Sequence, residues 1–226
     1  MALSTPQRLS AAPDQLGDLV ERILARTATT SRFLLGITGA PGAGKSMLSH
    51  ALALALTGAG TPAAVVGLDG FHLVSEELER LGRTERKGAP DTFDVHGYRV
   101  LLRRLREQSS DGPMIYAPRY QRGAVEESIG SAVPVAGQVQ VVLTEGNYLL
   151  LPQEPWAAIA DLLDETWFVS VRQDLRRERL LARHLANGKS MARALQFTDG
   201  SDATNAELIA AGAEHADVII DWGEAH

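Results

Sequence analysis

Residues Gly39 to Ser46 read Gly-Ala-Pro-Gly-Ala-Gly-Lys-Ser, a complete G-x-x-x-x-G-K-[ST] string, and its flanks decide what it can be. Before it, Phe33-Leu34-Leu35-Gly36-Ile37-Thr38 is a short apolar run of the length of a buried parallel strand. After it, Met47 to Leu56 is rich in helix formers. A strand, a glycine loop and a helix start in that order make an anion cradle, because backbone N–H groups and the positive helix end converge on one point. The cradle takes in Gly39, Ala40, Pro41, Gly42, Ala43, Gly44, Lys45, Ser46 and Met47. Lys45 can reach the β- and γ-phosphates of a nucleoside triphosphate, and the Ser46 hydroxyl can ligate Mg²⁺. By average residue usage, about one chain in a hundred of this length carries the string by chance, and fewer place it between strand and helix. The expectation is nucleotide binding.

The rest of the composition narrows the class. A chain of 226 residues, 45% hydrophobic and 22% charged, suits one large domain with ample core. A net charge of −6 argues against general nucleic-acid binding, which needs a broad basic surface. With no cysteine, disulfides, thiolate catalysis and Cys-ligated zinc are excluded, and the six histidines show no metal-binding spacing. Ala51 to Leu68 is free of charge and long enough to cross a membrane. Gly58, Gly60, Thr61 and Pro62 break it, so it reads as helix, turn and strand. No basic region precedes an apolar core at the N-terminus, so no signal peptide is expected, and a soluble cytoplasmic protein is the default. Lysine is scarce: Lys45, Lys87 and Lys189 stand against 19 arginines, a bias that genome composition alone can produce, and all three fall in segments suited to phosphate or substrate contact.

Strand-like and helix-like segments alternate. Residues 1–13 read as a loose tail and Asp14 to Thr27 as an amphipathic helix. Further strands are expected at Ala63 to Leu68, Gln140 to Thr144, Thr166 to Val171 and Asp217 to Ile220, with a short one at Met114 to Ala117. Asp94 is placed to cap a helix from Val95 to Glu107, whereas Pro118 to Pro134 reads as irregular. Further helices are expected at Trp156 to Leu163, Asp174 to Ala186, from Ser190, and at Asn205 to Gly212. This alternation implies an α/β fold with a mostly parallel, five-stranded sheet. The expected division is an N-terminal tail and helix (1–30) and one nucleotide-binding domain (31–226) with a helical lid at about 183–200.

Two acids follow buried strands directly, Asp69 and Glu145. In open α/β sheets the strand C-termini face the ligand crevice, so both are expected beside the glycine loop. Phosphoryl transfer to a hydroxyl needs a base at the acceptor and a carboxylate toward Mg²⁺, roles that suit Asp69 and Glu145 respectively. Residues 172–193 carry six arginines and Lys189 against Asp174 and Glu178. Glu178 has no basic residue three or four positions away, so most of these arginines lack a helical partner. A lid that brings Arg183 over the transferring phosphoryl accounts for them, with Arg176 and Arg177 left as surface.

Together the loop, Asp69-Gly70-Phe71-His72, Arg86-Lys87-Gly88-Ala89-Pro90 with Phe93-Asp94, Pro118-Arg119-Tyr120 and Thr144-Glu145-Gly146-Asn147-Tyr148 make a specific set. In that order they resemble the uridine kinase, phosphoribulokinase and bacterial pantothenate kinase superfamily. Glu145 to Leu151 followed by Glu154-Pro155-Trp156 looks most like its fructose-transport-system kinase-like branch. The likeness spans about Phe33 to Ile220. It implies a P-loop three-layer α/β/α fold, ATP and Mg²⁺ as cofactors, a small-molecule hydroxyl acceptor and a homodimer. By the same resemblance Asp69 is the base and Arg183 the lid arginine. His72, Lys87, Arg119, Tyr120, Asn147, Tyr148 and Asn205 would contact the acceptor, while Trp156 reads as core. His184 stands where uridine kinases carry Asp, and Thr204 replaces the proline that precedes the family asparagine.

Two other functions fit the loop. A nucleoside monophosphate kinase would use the arginines to hold a second phosphate. A GTP-driven switch needs an N-K-x-D element, and the nearest string, Asn187-Gly188-Lys189-Ser190, departs from it. Asp94-Val95-His96-Gly97 matches D-x-x-G but opens a helix instead of closing a strand.

Overall fold

The computed structural model of the protein describes residues 5–13, 15–121 and 127–223. In chain order its strands are β1 (Gln7–Ala11), β2 (Phe33–Thr38), β3 (Ala63–Gly67), β4 (Ile115–Gln121), β5 (Glu127–Val135), β6 (Val141–Glu145), β7 (Glu165–Ser170) and β8 (Val218–Trp222). The α-helices are α1 (Gly17–Thr27), α2 (Lys45–Gly58), α3 (Ser75–Arg80), α4 (Val95–Glu107), α5 (Gln173–Ala186), α6 (Met191–Asp199) and α7 (Ser201–Ala210). Six strands make one parallel sheet in the order β1-β8-β7-β2-β6-β3, and β4 with β5 forms a separate antiparallel pair.

Side-chain alternation along the strands builds a core on each face of the sheet. Phe33, Leu35 and Ile37 of β2 face one way, toward Leu48, Leu52 and Leu56 of α2 and Leu19 and Ile23 of α1. Leu34 faces the other way, toward Tyr98, Leu102 and Leu105 of α4 and Trp156 and Ile159. In α2 the buried leucines recur every four residues, which gives that helix its single apolar stripe. The Asp94 side chain caps α4 as expected, accepting from Gly97 N at 2.8 Å.

Three sequence expectations are corrected. Most of the loose tail is instead β1, an edge strand running parallel to β8 from Gln7 opposite Val218 to Ala11 opposite Trp222. Its exposed, polar side chains hide it, since backbone pairing and an Arg8–Asp221 ion pair at 2.7 Å hold it in place. The sheet therefore has six strands, not five. The stretch from Pro118 to Pro134, read as irregular, lies largely in the β4–β5 pair, where a register shift between Ala117 and Arg119 accommodates Pro118. Smaller differences concern helix type: Ala157–Leu162 is 3₁₀, and short 3₁₀ turns at Thr84–Arg86 and Pro90–Thr92 follow α3. The expected helix start at Asp14 lies outside the described residues. No described helix is long and apolar enough to cross a membrane.

The base of the central strand is held by one side chain. Arg32, only 5% exposed, donates to Val139 O (2.9 Å), Leu105 O (2.7 Å), Ala136 O (3.1 Å) and Gly137 O (2.9 Å), and to the Gln108 side chain. One planar fork thus satisfies the end of α4 and the turn between β5 and β6. Replacing Arg32 by Ala strands these carbonyls and is expected to lower unfolding stability by on the order of 3 kcal/mol in urea titrations. Arg32→Lys should recover less than half of this, since an ammonium is a point donor. A loss under about 1 kcal/mol for Arg32→Ala would show that the bonds are replaced by water.

Candidate active site

The glycine loop leaves the C-terminal end of β2 and turns at once into α2. Gly39, Gly42 and Gly44 have φ of 146°, 81° and 100°, backbone angles a Cβ disfavours. Close packing excludes a side chain as well. A Cβ on Gly39 would lie 2.6 Å from Val169 O, one on Gly42 2.8 Å from Leu180 Cγ, and one on Gly44 2.6 Å from Trp222 Nε1. Lys45 is buried, and its ammonium donates to Gly39 O at 2.8 Å and Ala40 O at 3.1 Å, across the mouth of the loop.

Sheet register brings the two acids to this mouth. Ile37 of β2 and Gly67 of β3 both pair with Glu145 of β6, so the three strands end level. Asp69 follows in a 3₁₀ turn, Leu68–Phe71. Ser46 Oγ donates to Glu145 Oε1 at 3.1 Å. Behind Glu145, the Thr144 hydroxyl donates to Val66 O at 2.8 Å and lies 2.6 Å from Tyr98 Oη. Thr144 has a single proton, so Tyr98 must donate to it, and burial pushes the Tyr98 phenol up, keeping that proton in place.

A cleft of about 560 Å³ opens above the loop, a size that suits small ligands. Of the residues singled out in the sequence, Pro41, Gly42, Gly44, Lys45, Ser46 and Met47 line its loop end. Asp69, Glu145 and Arg183 stand on the same cleft, as do His72, Lys87, Tyr120, Asn147 and Asn205. Gly39, Ala40 and Ala43 form the loop backbone beneath it.

Two expected acceptor contacts lie elsewhere. Tyr148 is fully buried against Phe93 and Trp156, and its hydroxyl donates to Gly88 O at 2.5 Å. It holds the turn after Lys87 from below, and burial, then the charges of Asp69, Asp202 and Asp91, push its phenol up. Arg119 lines an adjoining, mostly apolar groove between α2 and the β4–β5 pair, which shares Ser46, Asp69, Tyr120 and Glu145 with the cleft. Trp156 is core, as expected.

The wall expected to hold the acceptor is aromatic. The His72 ring lies 4.0 Å from Phe93 and 4.7 Å from Tyr120 between centroids, and Lys87 Nζ sits 5.6 Å from the Tyr120 centroid. His72 Nδ1 is 2.8 Å from Asp69 O, a carbonyl that can only accept, so this nitrogen carries hydrogen.

Opposite stands α5. Arg176, expected to be surface, reaches Pro41 O at 3.5 Å, and Arg179 reaches Ala43 O at 3.4 Å. Arg177 leaves Asp174 aside and binds Asp199 of α6 through two 2.7 Å bonds, while Asp174 takes Arg172. His184, 8% exposed, faces Asp202 at 2.8 Å. The sequence reading missed Arg179, Glu85, Arg193, Phe197 and Asp202, all of which line the cleft. The four-residue spacing of Arg193 and Phe197 was a local signal for a shared helix face; the rest depend on how α5, α6 and α7 pack.

Comparison with known proteins places the arrangement. The profile of the family described as methylmalonyl Co-A mutase-associated GTPase MeaB matches residues 6–75, the portion from β1 through the loop to just past Asp69. A Schizosaccharomyces pombe protein proposed to be a uridine kinase is 30% identical over 219 residues, covering 92% of this chain and 92% of its own. A solved structure from Silicibacter sp. TM1040, proposed to be a fructose transport system kinase, has TM-score 0.82 at 36% identity, covering 90% of this chain and 98% of that one. A Clavibacter sepedonicus pantothenate kinase is 35% identical over 153 residues, 66% of this chain and 47% of its own length. Fold, loop and relatives together define an ATP-dependent small-molecule kinase, a phosphotransferase built on a P-loop. The chain belongs to the superfamily of uridine kinase, phosphoribulokinase and bacterial pantothenate kinase.

The packing around Gly44 gives a direct test of the loop. Gly44→Ala forces a Cβ against Trp222 at a left-handed backbone angle. It is expected to cost about 2–3 kcal/mol in thermal unfolding and at least roughly tenfold in calorimetric affinity for a non-hydrolysable ATP analogue. Unchanged affinity would mean that the loop adjusts without losing its cradle.

Proposed function

We propose that the protein transfers the γ-phosphoryl group of ATP to a hydroxyl of a small metabolite, with Asp69 as the base. The observation that carries this reading is the convergence of Lys45, Ser46, Asp69, Glu145 and Arg183 on one cleft whose other wall is aromatic and basic. The loop from Gly39 to Met47 holds the triphosphate through its N–H groups, with Lys45 on the β- and γ-oxygens. Asp69 accepts the acceptor's proton as its hydroxyl oxygen bonds to the γ-phosphorus. The bond from phosphorus to the β–γ bridging oxygen breaks, and ADP leaves with that electron pair. Lys45 and Arg183 offset the charge that builds on the transferring group.

The donor set at the mouth fits Mg²⁺. Ser46 Oγ and Glu145 Oε1 are hard oxygen donors 3.1 Å apart, and the described residues hold no cluster of three His, Cys, Asp or Glu that would form an all-protein cage. Few protein ligands beside substrate phosphates is the usual setting for this ion, with Ser46 and Glu145 as its protein side. When bound, it neutralises charge on the phosphate oxygens.

His72, Lys87, Tyr120, Asn147 and Asn205 frame the acceptor. Tyr148 acts from beneath by fixing Gly88, and α5 to α7 serve as the lid that excludes water. The relatives named for uridine, pantothenate and fructose transport support a hydroxyl-bearing metabolite as acceptor.

A metabolite panel with ATP and Mg²⁺, read by coupled ADP release, tests this. Asp69→Asn is expected to lower kcat by about 10²–10⁴ with KM for ATP within about twofold. Near-normal turnover in that variant would remove Asp69 from the base role, and turnover confined to nucleoside monophosphates would replace the hydroxyl acceptor with a phosphate.

A further inference from the structure

The chain contains three lysines among 22 basic residues, and all three line the one cleft. Lys45 belongs to the phosphate loop. Lys87 and Lys189 come from other segments, each set over an aromatic ring. Lys87 Nζ is 5.6 Å from the Tyr120 centroid and Lys189 Nζ 5.2 Å from that of Phe197. Arg193 shares Phe197, its guanidinium 4.8 Å from the ring centroid. Such ring faces hold a cation in place without neutralising it.

Position separates this cluster from the donor. Arg176 and Arg179 touch carbonyls of the phosphate loop, and from Arg176 to the end of α5 the axis runs about 15 Å at 1.5 Å per residue. Lys189 follows that far end. Arg193 reaches Glu85 at 3.6 Å, two residues before Lys87, so α6 closes onto the acceptor wall. Glu85 is 85% exposed, and a rim pair of this length is weak and easily displaced by a better anion.

Asp202 faces His184 at 2.8 Å. Lys189 forms no ion pair with a described carboxylate, while Arg193 also donates to Gln196 Oε1 at 2.8 Å.

From this arrangement we infer that the acceptor carries an anionic group, a carboxylate or phosphate remote from its reacting hydroxyl, held between Lys189 and Arg193 of the lid and Lys87 of the facing wall. The inference rests on the hydroxyl-kinase reading above and sharpens it, separating charged hydroxy compounds from neutral sugars and nucleosides. Lid closure then depends on the acceptor, because the anion bridges α6 to the turn at residues 84–88. A planar guanidinium and two compact ammoniums suit either a carboxylate or a phosphate.

Matched pairs test it: D-glycerate with glycerol, pantothenate with pantothenyl alcohol, and ribose 5-phosphate with ribose. Each is titrated calorimetrically with Mg²⁺ and a non-hydrolysable ATP analogue present, then assayed with ATP. At least one anionic member is expected to bind tenfold or more tightly than its neutral mate, and the pair that responds separates carboxylate from phosphate. Lys189→Gln with Arg193→Gln should erase that preference without moving the thermal midpoint, and Lys189→Arg alone should retain it. Equal binding within every pair, no binding by any anionic member, or a preference that survives the double substitution each overturn the inference. Tight anion binding with no phosphoryl transfer keeps the subsite and overturns the hydroxyl-kinase reading instead.

Discussion

Everything in the site hangs from one reversal of the backbone, where β2 ends and α2 begins. Three glycines make that reversal, and each is pressed by a different element: Gly39 by β7, Gly42 by α5 and Gly44 by β8. The loop is therefore packed on three sides as well as strung between strand and helix. Its N–H groups are preorganised by neighbours that have their own reasons to be there, since Trp222, Val169 and Leu180 are all core residues. Such support explains why a segment so rich in glycine can hold one conformation.

Legibility in the sequence follows how local the cause is. The β2–loop–α2 unit, the Asp94 cap and the buried strands β3, β6 and β7 are written in runs of neighbouring residues, and they form within a residue or two of where those runs place them. Edge strand β1 is not, because pairing with β8 creates it and its side chains stay largely in solvent. The β4–β5 pair stands outside the main sheet, and its two prolines disguise it as loop. Strand-to-strand partnership is a long-range fact, and a periodicity read along the chain is blind to it.

The site divides in the same way. Asp69 and Glu145 were readable because strand ends of a parallel sheet share one rim, so two acids far apart in sequence meet by topology alone. Tyr120 and Tyr148 were not separable. Both sit in aromatic motifs of the family set, yet one lines the cleft and the other is sealed beneath it. Arg119 lines the adjoining groove, which shares Asp69 and Tyr120 with the cleft. The cleft residues of α5, α6 and α7 were hardest, because their placement depends on how the three helices pack, and no one helix records that.

That packing gives α5 two unlike ends. Its first turns lean on the phosphate loop through Arg176, Arg179 and Leu180 against Gly42, and its last turn delivers His184 to Asp202 of α7. The bidentate Arg177–Asp199 pair ties its middle to α6, which reaches the acceptor wall at Glu85. One helix therefore touches the phosphate loop near its start and packs against α6 and α7 beyond it. The cations on α5 and α6 are ordered along it, Arg176 and Arg179 against the phosphate loop and the Lys189–Arg193 pair farther along the chain. An acidic protein has thus gathered its three lysines, with Arg179, Arg183 and Arg193, onto one cleft.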